Sequence, residues 1–515
     1  MGHCLARMAR RGFKGILVSP YPNLFSWRID AHSTQWHLAL PQDFCIMKIS
    51  SRQHITAAVW LALFTSAGTS QSYANKALVN SKALQADITT KGLMSHLIAF
   101  GDIATQNGGN RAFGTPGYAA SVDYIWKQVS SIPGAKAWKQ DFSVLFDKVE
   151  SIGLSIDGRS IPVSALRFSP STSKEGLTAE VVAGPEGIAA CNDTSYENLK
   201  VVGKIVIIQA VQCGGSTPLV IKYPWVSPLL PAARAGAAAV LFYSDMESDP
   251  SGKSLGDDSL NSGFTPVGFL YLADGLNIKK RLKAGQRLEG HFQHTQILEQ
   301  RATQNVFVET EGGDAENVIV VGAHLDSVLM GPGINDNGSG SSLILELFLA
   351  IQKYRTTNKI RFAWWGDEEN GDVGSDVYCK SLYHSNAVHS ILAYLNFDMV
   401  ARAPHGVGYG DGNFDGKPLE SPPGSDTITR LFLKSFLEQN VTVDPSYKTS
   451  GSDFRPFWMD LFKPIGYLTT RVHDDPCYHS ACDTIDNVDP EVITINTRVS
   501  NQLTILSGAR FRVLT

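Results

Sequence analysis

After about residue 305 the sequence alternates regularly between apolar runs and amphipathic segments, and this feature most constrains the fold. Runs that predict buried strands are NVIVVGAH, KIRFAWWG, ILAYLNFDMV and PIGYLTT; the segments between them, SSLILELFLAIQKY, SDVYCKSLYH and DTITRLFLKSFLEQN, have helical spacing. Near-continuous apolar strands separated by helices are typical of a parallel sheet with both faces covered. We therefore predict an α/β fold with a mostly parallel, twisted sheet flanked by helices.

The chain before this alternation has a different texture. Segments 91–106 and 116–132 have helical spacing, and AWKQDFSVLF reads as a strand. From residue 151 to 295 the sequence changes to short β runs separated by Gly and Pro turns. This pattern predicts a β-rich domain at 151–295, inserted into a main domain formed by 75–150 and 296–515.

The N-terminal segment is interpreted separately from the fold. Residues 1–46 are basic and lack an amphipathic period, so we expect a non-structural extension. Residues 47–74 combine a basic start, the apolar run ITAAVWLALFTSAG and small residues, which is the layout of a secretory signal cleaved after Ala74. The apolar run is shorter than the ~20 residues of a membrane span. Export and a signal peptide are therefore favoured over an anchor or a buried helix, and we expect no membrane insertion.

An extracellular location makes the cysteines interpretable, because disulfides persist in oxidising compartments. Cys477 and Cys482 lie five residues apart, and Cys191 and Cys213 bracket a separate region. We predict these two bridges and a free Cys379. A structural zinc site that uses the Cys477 segment with His479 is the weaker alternative, since no second pair has zinc-finger spacing.

The net charge and the glycosylation sequons indicate which partners and modifications to expect. A net charge of −4, without dense runs of Lys or Arg, excludes an electrostatic footprint for nucleic acid. Sequons at Asn192 and Asn440 predict a glycosylated surface. We expect a monomer that acts on peptide substrates.

Polar side chains follow the ends of successive predicted strands. In parallel sheets, ligands bind beyond the carboxyl ends of the strands. Carboxylates buried close together repel one another, and a divalent cation removes that cost. Two imidazoles with several carboxylates suit zinc, and two zinc ions with one bridging Asp would use all of these groups. The residues are His324, Asp326, Asp336, Glu368, Glu369, Asp398 and His479.

These residues lie in motifs that resemble peptidase family M28, the co-catalytic zinc aminopeptidases. The motifs His324–Leu–Asp326, GINDNGSG, DEENGDVGS, NFDMV and YHSACDT occur in the family order. The inserted segment, with GKIVIIQAVQC followed by PAARAGAAAVLFY, resembles a protease-associated domain. The whole arrangement is similar to secreted fungal leucine-type aminopeptidases.

The resemblance implies a role for each motif residue. Asp336 would bridge two zinc ions, and the metal ligands on either side of it are His324 with Asp398 and Glu369 with His479. Glu368 would be the general base that takes a proton from the attacking water and returns it to the leaving amine. Asp326 would orient the His324 imidazole. Tyr478 would donate to the oxyanion, or would be a packed aromatic at the rim.

NDNGSG implies tight control of the backbone beside the bridging Asp. The family implies a cis-type peptide at Asp336–Asn337, so Asn337 is expected to be buried and unglycosylated despite its sequon. Gly338 and Gly340 are expected to allow a tight turn. The serines that follow are expected to cap the next helix.

One segment departs from the family pattern. Many members read Ser-Asp-His where this chain has SGSDFRPF, which lacks the His, so family details of the substrate rim are not carried over to this chain. His473 and Asp474 are alternative ligands close to His479.

A two-zinc, secreted aminopeptidase is the function predicted from the sequence. A carboxypeptidase or dipeptidase of the same family is the alternative, with Arg455 as the residue that favours it, and a non-catalytic binding relative is a further one. A serine hydrolase is not indicated, because GKSLG around Ser254 lacks a leading apolar strand. HExxH is also absent from the sequence, so a thermolysin-type site is not indicated.

Overall fold

The structure, a computed structural model, describes most of the chain from residue 73 onward. It describes residues 27–28, 37–38 and 73–501, apart from 212, 214–227, 245–253, 256–262, 384, 409–412, 415–416, 419–421, 448–450 and 471–473. The predicted extension apart from residues 27–28 and 37–38, the predicted signal apart from residues 73–74, and His473 lie outside the described residues.

The chain forms two compact units. The first comprises Met1–Val79 and Gln352–Arg355. It contains β1 (Trp27–Arg28) and β2 (His37–Leu38), which pair antiparallel, and an isolated bridge between Leu78 and Arg355. The second unit comprises Asn80–Ile351 and Thr356–Thr515, and it contains the elements described below.

The second unit begins with three helices and continues into the region predicted as an insertion. The helices are α1 (Ser81–Asp87), α2 (Thr90–Gln106) and α3 (Pro116–Ser130). The following elements are β3 (Lys136–Ile156), β4 (Arg159–Ser160), β5 (Ser164–Ala165), β6 (Leu177–Ala183), β7 (Ile205–Gln209), α4 (Leu229–Arg234), β8 (Ala239–Tyr243), β9 (Val267–Leu270), α5 (Leu272–Lys283) and β10 (Leu288–Glu309).

The remaining elements alternate between strands and helices as the sequence predicts. They are β11 (Asp314–His324), α6 (Gly340–Ile351), β12 (Asn358–Trp365), α7 (Val373–Tyr383), β13 (Ile391–Asp398), β14 (His405–Gly408), β15 (Asn413–Phe414), β16 (Lys417–Pro418), α8 (Ser425–Glu438), β17 (Asp444–Tyr447), α9 (Phe454–Met459), β18 (Ile465–Thr470) and α10 (Pro490–Ser500).

Among the described residues, one 14-stranded sheet organises this unit. Its order is β17-β14-β18-β13-β11-β12-β10-β6-β7-β8-β9-β5, with β3 paired to β10 and to β4. Strands β12, β11, β13 and β18 are mutually parallel, and so are β6, β7, β8 and β9, whereas β10 runs antiparallel to its neighbours. The predicted class, a mixed α/β sheet flanked by helices, is confirmed.

Strands β3 and β10 are much longer than the short β runs expected for the region after residue 151. They span 21 and 22 residues and pair along nearly their whole length. Their register shifts between Thr295 and Gln296, opposite Ser151 and Val149. This β-bulge lies at residues 151 and 295, where the sequence predicts the boundaries of the inserted domain. Both strands continue through these boundaries instead of ending there.

Separate apolar clusters support the two regions of the sheet. Around the parallel strands β11–β13 and β18, one face packs Phe307, Trp365, Tyr394, Phe457 and Tyr467, and Tyr394 and Phe457 stack with ring centroids 3.9 Å apart. Around β6–β9, the two faces of the sheet each bury their own cluster, one containing Phe242 and Phe269 and the other Tyr243 and Phe292. The rigid parallel strands are therefore well placed to hold polar groups at their ends.

Cysteine pairing agrees with the sequence prediction. Cys191 bonds Cys213, Cys477 bonds Cys482, and Cys379 is free and buried. Because its two cysteines are joined, the alternative zinc site at Cys477 and Cys482 is excluded. A search of the described helices finds none with the length and apolarity needed to cross a bilayer.

Candidate metal centre

The ends of parallel strands deliver the predicted polar residues to one edge of the sheet. His324 is the last residue of β11, Asp398 is the last residue of β13, and Glu368 and Glu369 follow β12. Asp336 lies in the turn before α6, and His479 follows β18 within the loop closed by the Cys477–Cys482 disulfide.

Asp336 stands between the two histidines. Its Oδ1 lies 3.2 Å from Nε2 of His324, and its Oδ2 lies 3.3 Å from Nε2 of His479. The two oxygens of one carboxylate therefore face two different imidazoles. This arrangement is compatible with a carboxylate that bridges two ligand groups.

Further carboxylates extend the cluster on either side of Asp336. Nε2 of His324 is 3.2 Å from Oδ1 of Asp398 and 3.8 Å from Oε2 of Glu368. On the other side, Nε2 of His479 is 2.9 Å from Oε2 of Glu369. Ligand atoms of His324, Glu368 and Asp398 lie within 4.8 Å of one another, and so do those of His324, Asp336 and Glu369.

Burial and charge shift the pKa values of the whole cluster. Burial raises the pKa of Glu369 to about 7, and it raises that of Glu368 well above its ordinary value. For His479, burial acts to lower the pKa, but Glu369 and Asp336 outweigh it and bring the value to about 10. For Asp336, hydrogen bonds from the two imidazoles outweigh burial and leave the pKa well below its usual range. The imidazoles therefore do not fully offset the cost of burying the negative charges of Glu368 and Glu369.

The donor set fits a divalent cation with nitrogen and oxygen ligands. Oε1 of Glu369 is buried and has no hydrogen-bond partner among the described residues, which leaves its lone pairs free for a cation. Buried polar atoms of this kind are normally satisfied. Imidazole and carboxylate donors together suit zinc. His324, Asp336, Glu369, Asp398 and His479 could therefore hold metal at this edge of the sheet.

The site opens to solvent beside His479. A small depression in the surface is lined by Val328, Gly333, Asp336, His479, Ser480 and Asp483. The His479 side chain is 39 % exposed, whereas that of His324 is 1 % exposed. Access to the cluster from this direction is therefore by way of His479.

Several residues at the site have backbone conformations that L-residues rarely adopt. Asp367 (φ 64°), Asp372 (φ 59°), Met399 (φ 55°) and His479 (φ 54°) all have positive φ. Each follows a strand end or lies in a loop that carries a proposed site residue. Such strained residues concentrate where surrounding structure fixes a functional geometry.

The turn beside Asp336 has the predicted cis peptide. The Asp336–Asn337 bond is cis and Asn337 is fully buried, so both predictions are confirmed. The Asn337 side chain accepts from the N–H of Gly340 at 2.8 Å and donates to the carbonyl of Phe397 at 2.9 Å. A Cβ at Gly340 would lie 2.1 Å from that same carbonyl, so glycine permits a close approach there.

The expected serine caps are wrong. Asn337, rather than a serine, accepts from the first N–H of α6. The serine hydroxyls instead donate to carbonyls, Ser341 to that of His324 and Ser342 to that of Gly338, each at 2.7 Å. They tie the helix to the strand end and to the turn, because the side chain of Asn337 already occupies the cap.

Asp326 and Tyr478 lie beside the cluster. Asp326 is fully buried, its Oδ1 is 3.6 Å from Nδ1 of His324, and its two oxygens accept from the N–H groups of Glu368 and Glu369 at 3.2 and 3.4 Å. The Tyr478 ring stacks on His479 with centroids 3.8 Å apart. Asp326 thus fixes the turn that carries the two glutamates.

Arg111 is a site residue that sequence reasoning missed. It is fully buried, and its guanidinium donates to the backbone carbonyls of Leu325, Pro332 and Gly333. These carbonyls belong to the loops that carry Asp326 and Asp336. Burial lowers its pKa to about 10. Arg111 lies in a turn-rich segment more than 200 residues before these carbonyls, and nothing in that segment of the sequence indicates the contact.

Asp483 and Ser452 were also not singled out. Asp483 accepts from the N–H groups of Asn335 and Asp336, both at 2.9 Å, so it fixes the backbone at Asp336. Ser452 lies in the segment that departs from the family pattern, and its hydroxyl donates to Oδ2 of Asp398 at 2.7 Å. The alternative ligand Asp474 is exposed.

Comparison with known proteins identifies the family. Leucine aminopeptidase 2 of Trichophyton rubrum is 32% identical over 444 residues, which cover 82% of this chain and 85% of that protein. A probable lipoprotein aminopeptidase of Mycobacterium tuberculosis is 30% identical over 439 residues, covering 80% of this chain and 84% of its own. Residues 305–504 match Peptidase family M28.

The chain belongs to peptidase family M28.

Further similarities agree with this assignment. Residues 177–278 of the M28 peptidase match the PA domain, so the protease-associated domain expected from the sequence is present. An aminopeptidase from Aneurinibacillus sp. strain AM-1 has the same fold, with a TM-score of 0.66 at 22% identity over 83% of this chain and 96% of that one. A zinc aminopeptidase from Bacillus subtilis gives a TM-score of 0.59 at 22% identity, over 83% of this chain and 97% of its own.

Proposed function

We propose that this M28 peptidase is a secreted metallo-aminopeptidase that holds two zinc ions and removes N-terminal residues from peptides. The observation that carries the proposal is the position of Asp336, whose two oxygens face His324 and His479 at 3.2 and 3.3 Å. A carboxylate directed in this way can serve two ions at once. Family relatives named leucine aminopeptidase support the reaction class.

The proposed ligands divide about Asp336. His324 and Asp398 would hold one zinc ion, Glu369 and His479 the other, and Asp336 would contact both. When bound, the ions supply Lewis acidity that polarises the scissile carbonyl and lowers the pKa of water. The buried, unpartnered Oε1 of Glu369 supports its assignment as a ligand.

Glu368 is the proposed general base. Its Oε2 lies 3.8 Å from Nε2 of His324, and its N–H is held by Oδ1 of Asp326 at 3.2 Å. In this position Glu368 would accept a proton from the attacking water and donate it to the leaving amine. A carboxylate that alternates between acceptor and donor works best when its pKa lies near the operating pH, and burial acts in that direction here.

Asp326 and Tyr478 would assist without binding metal. Asp326 would orient His324 and would hold the Glu368–Glu369 turn through its two backbone hydrogen bonds. Tyr478 is 37% exposed at the mouth of the site, where its hydroxyl would donate to the oxyanion that forms on the substrate carbonyl.

The domain boundaries and location belong to the same proposal. We place the peptidase domain at 75–150 and 296–515 and the inserted domain at 151–295, supported by the register shift between Thr295 and Gln296. Residues 47–74 would direct secretion, and Asn192 and Asn440 would carry glycans.

Substrate polarity provides the test of aminopeptidase activity. Hydrolysis of a Leu-X peptide should be lost when its N-terminus is acetylated, and it should survive when the C-terminus is amidated. The opposite result would assign a carboxypeptidase of the same family. Cleavage of neither peptide by the zinc-loaded protein would indicate a non-catalytic relative.

A further inference from the structure

Arg455 and Asp372 form an ion pair for which the proposed mechanism has no use. Nη1 of Arg455 lies 3.1 Å from Oδ2 of Asp372. The Asp372 side chain is 7% exposed, and that of Arg455 is 41% exposed. The pair therefore joins a buried carboxylate to a guanidinium that reaches solvent.

The pair lies beside the proposed base. Asp372 belongs to the same turn as Glu368, since its N–H donates to the Glu368 carbonyl at 2.8 Å. Arg455 comes from α9, and its N–H donates at 3.0 Å to the carbonyl of Ser452, the residue whose hydroxyl contacts Asp398. Arg455 thus connects the segment behind Asp398 to the turn that carries Glu368.

The Arg455 guanidinium has more N–H groups than its contact with Asp372 uses. Arginine presents five N–H groups in a planar fork that matches the geometry of a carboxylate. Asp372 contacts Nη1, and Nε is buried without a hydrogen-bond partner in the part of the chain that the structure describes. The exposed part of this cation stands out at an edge where Glu368, Asp372 and Asp398 are all acidic.

We propose that Arg455 binds a carboxylate of the substrate and that Asp372 holds its guanidinium in place at the rim of the site. The inference rests on the proposed peptidase function and deepens it by naming a charged feature of the preferred substrate. Asp372 is the positioning residue in this arrangement, and Arg455 is the residue that touches substrate.

A substrate carboxylate can come from two sources. One is an acidic side chain on the N-terminal residue, and the other is the C-terminal carboxylate of a short peptide. Two matched pairs of probes separate them. Glu-p-nitroanilide and Gln-p-nitroanilide differ only in side-chain charge, and Leu-Gly and Leu-Gly-amide differ only at the C-terminus.

The test compares kcat/KM within each pair for the zinc-loaded wild-type protein and for Arg455→Met. The Met side chain retains apolar bulk but has no charge and no donors. We expect the charged-to-neutral ratio in one pair to fall by about tenfold, since charge-assisted hydrogen bonds are among the stronger ones. The pair that responds identifies the source of the carboxylate. Arg455→Lys, which keeps the charge without the fork, should give an intermediate ratio.

Asp372→Asn separates substrate binding from a purely structural ion pair. The Asn carboxamide oxygen can still accept from the guanidinium and hold it in place. The negative charge that competes with the substrate carboxylate is gone, so the same ratio should rise. A structural pair would be broken by either variant, and both would then shift the ratio in the same direction. Arg430→Met is the matched control, because Arg430 pairs with Asp426 on α8 at 2.7 Å, and it should leave both ratios unchanged.

Unchanged ratios in Arg455→Met, with a thermal transition like that of wild type, would overturn the inference. Shifts of the same sign in Arg455→Met and Asp372→Asn would also overturn it. Failure of the proposed function looks different, because wild-type protein would then hydrolyse neither Gln-p-nitroanilide nor Leu-Gly-amide.

Discussion

Ser452 and Asp398 are joined by a hydrogen bond that leaves one carboxylate oxygen available to the site. The Ser452 hydroxyl donates to Oδ2 of Asp398 at 2.7 Å, while Oδ1 faces Nε2 of His324 at 3.2 Å. Ser452 in turn accepts from the side-chain amide of Asn396 at 2.7 Å. The orientation of Asp398 is therefore fixed from behind by a chain of buried polar groups.

Ser452→Ala should weaken zinc binding at the Asp398 side of the site. Loss of the donor frees the carboxylate to rotate, and hydrogen bonds behind a metal ligand typically change metal affinity by about 10- to 100-fold. Chelator competition measures the zinc affinity directly. Ser381→Ala, on the outer part of α7, serves as the control; equal affinities in the two variants would contradict the role assigned to Ser452.

Glu368→Gln should abolish turnover while zinc content stays intact. The amide cannot accept a proton from water, and loss of a general base typically lowers kcat by roughly 10²- to 10⁴-fold. Steady-state kinetics and metal analysis of the same preparation provide the measurement. A variant with near-normal kcat would refute the assignment of Glu368 as base.

His479→Ala and Asp336→Ala should differ in zinc stoichiometry. His479 contacts Glu369 and one oxygen of Asp336, so its loss should remove one zinc equivalent of two. Asp336 faces both imidazoles, so its loss should weaken both sites. Elemental analysis after dialysis distinguishes these outcomes, and equal loss in the two variants would argue against a bridging role.

Arg111→Met should destabilise the whole peptidase region. It leaves the carbonyls of Leu325, Pro332 and Gly333 without their donor, and each buried acceptor left unsatisfied costs about 1–3 kcal/mol. Denaturant unfolding of the metal-free protein measures the loss. Arg430→Met, which removes a charge from an exposed helix face, is expected to change the free energy of unfolding by less than about 0.5 kcal/mol.

Stability should fall as pH decreases, with His294 as one contributor. Burial lowers the pKa of His294; its Nδ1 bonds the Pro170 carbonyl at 3.2 Å and Nε2 is buried without a partner among the described residues. A depressed folded-state pKa favours the neutral ring. Its stabilisation is present above the unfolded pKa of about 6.5 and is lost as pH falls through the folded value.

Thermal melts of wild type and His294→Gln at pH 7 and pH 5 check this dependence. The variant should lose less stability than wild type over that interval. His389→Gln, at an exposed position, should behave as wild type. An identical pH dependence in His294→Gln and wild type would contradict the prediction.

Much of the fold and the candidate site could be predicted because the relevant signals are local. The apolar strands are continuous in sequence. His324 and Asp398 end their strands, and Glu368 and Glu369 follow within four residues of theirs. The residues that were missed act over long sequence separations. Arg111 binds backbone carbonyls more than 200 residues away, and backbone carbonyls have no signature in the sequence.

Local rules also failed where two groups compete for one role. Serine after a turn favours a helix cap, but here the Asn337 side chain occupies that position and the serines turn to carbonyls. Likewise, turn-rich texture after residue 151 suggested short strands. Because β3 pairs with β10, both strands stay extended through this turn-rich part of the sequence. The pairing joins residues far apart in the chain, so the local sequence does not predict it.

The continuity of β3 and β10 has a mechanical consequence for substrates. A domain attached through flexible linkers can move away from its neighbour to admit a large substrate. Here β3 and β10 are paired along nearly their whole length, and sharp bending would break the backbone hydrogen bonds between them. The protease-associated domain is therefore joined to the peptidase sheet by two continuous paired strands, so moving it relative to that sheet would require bending or breaking the ribbon.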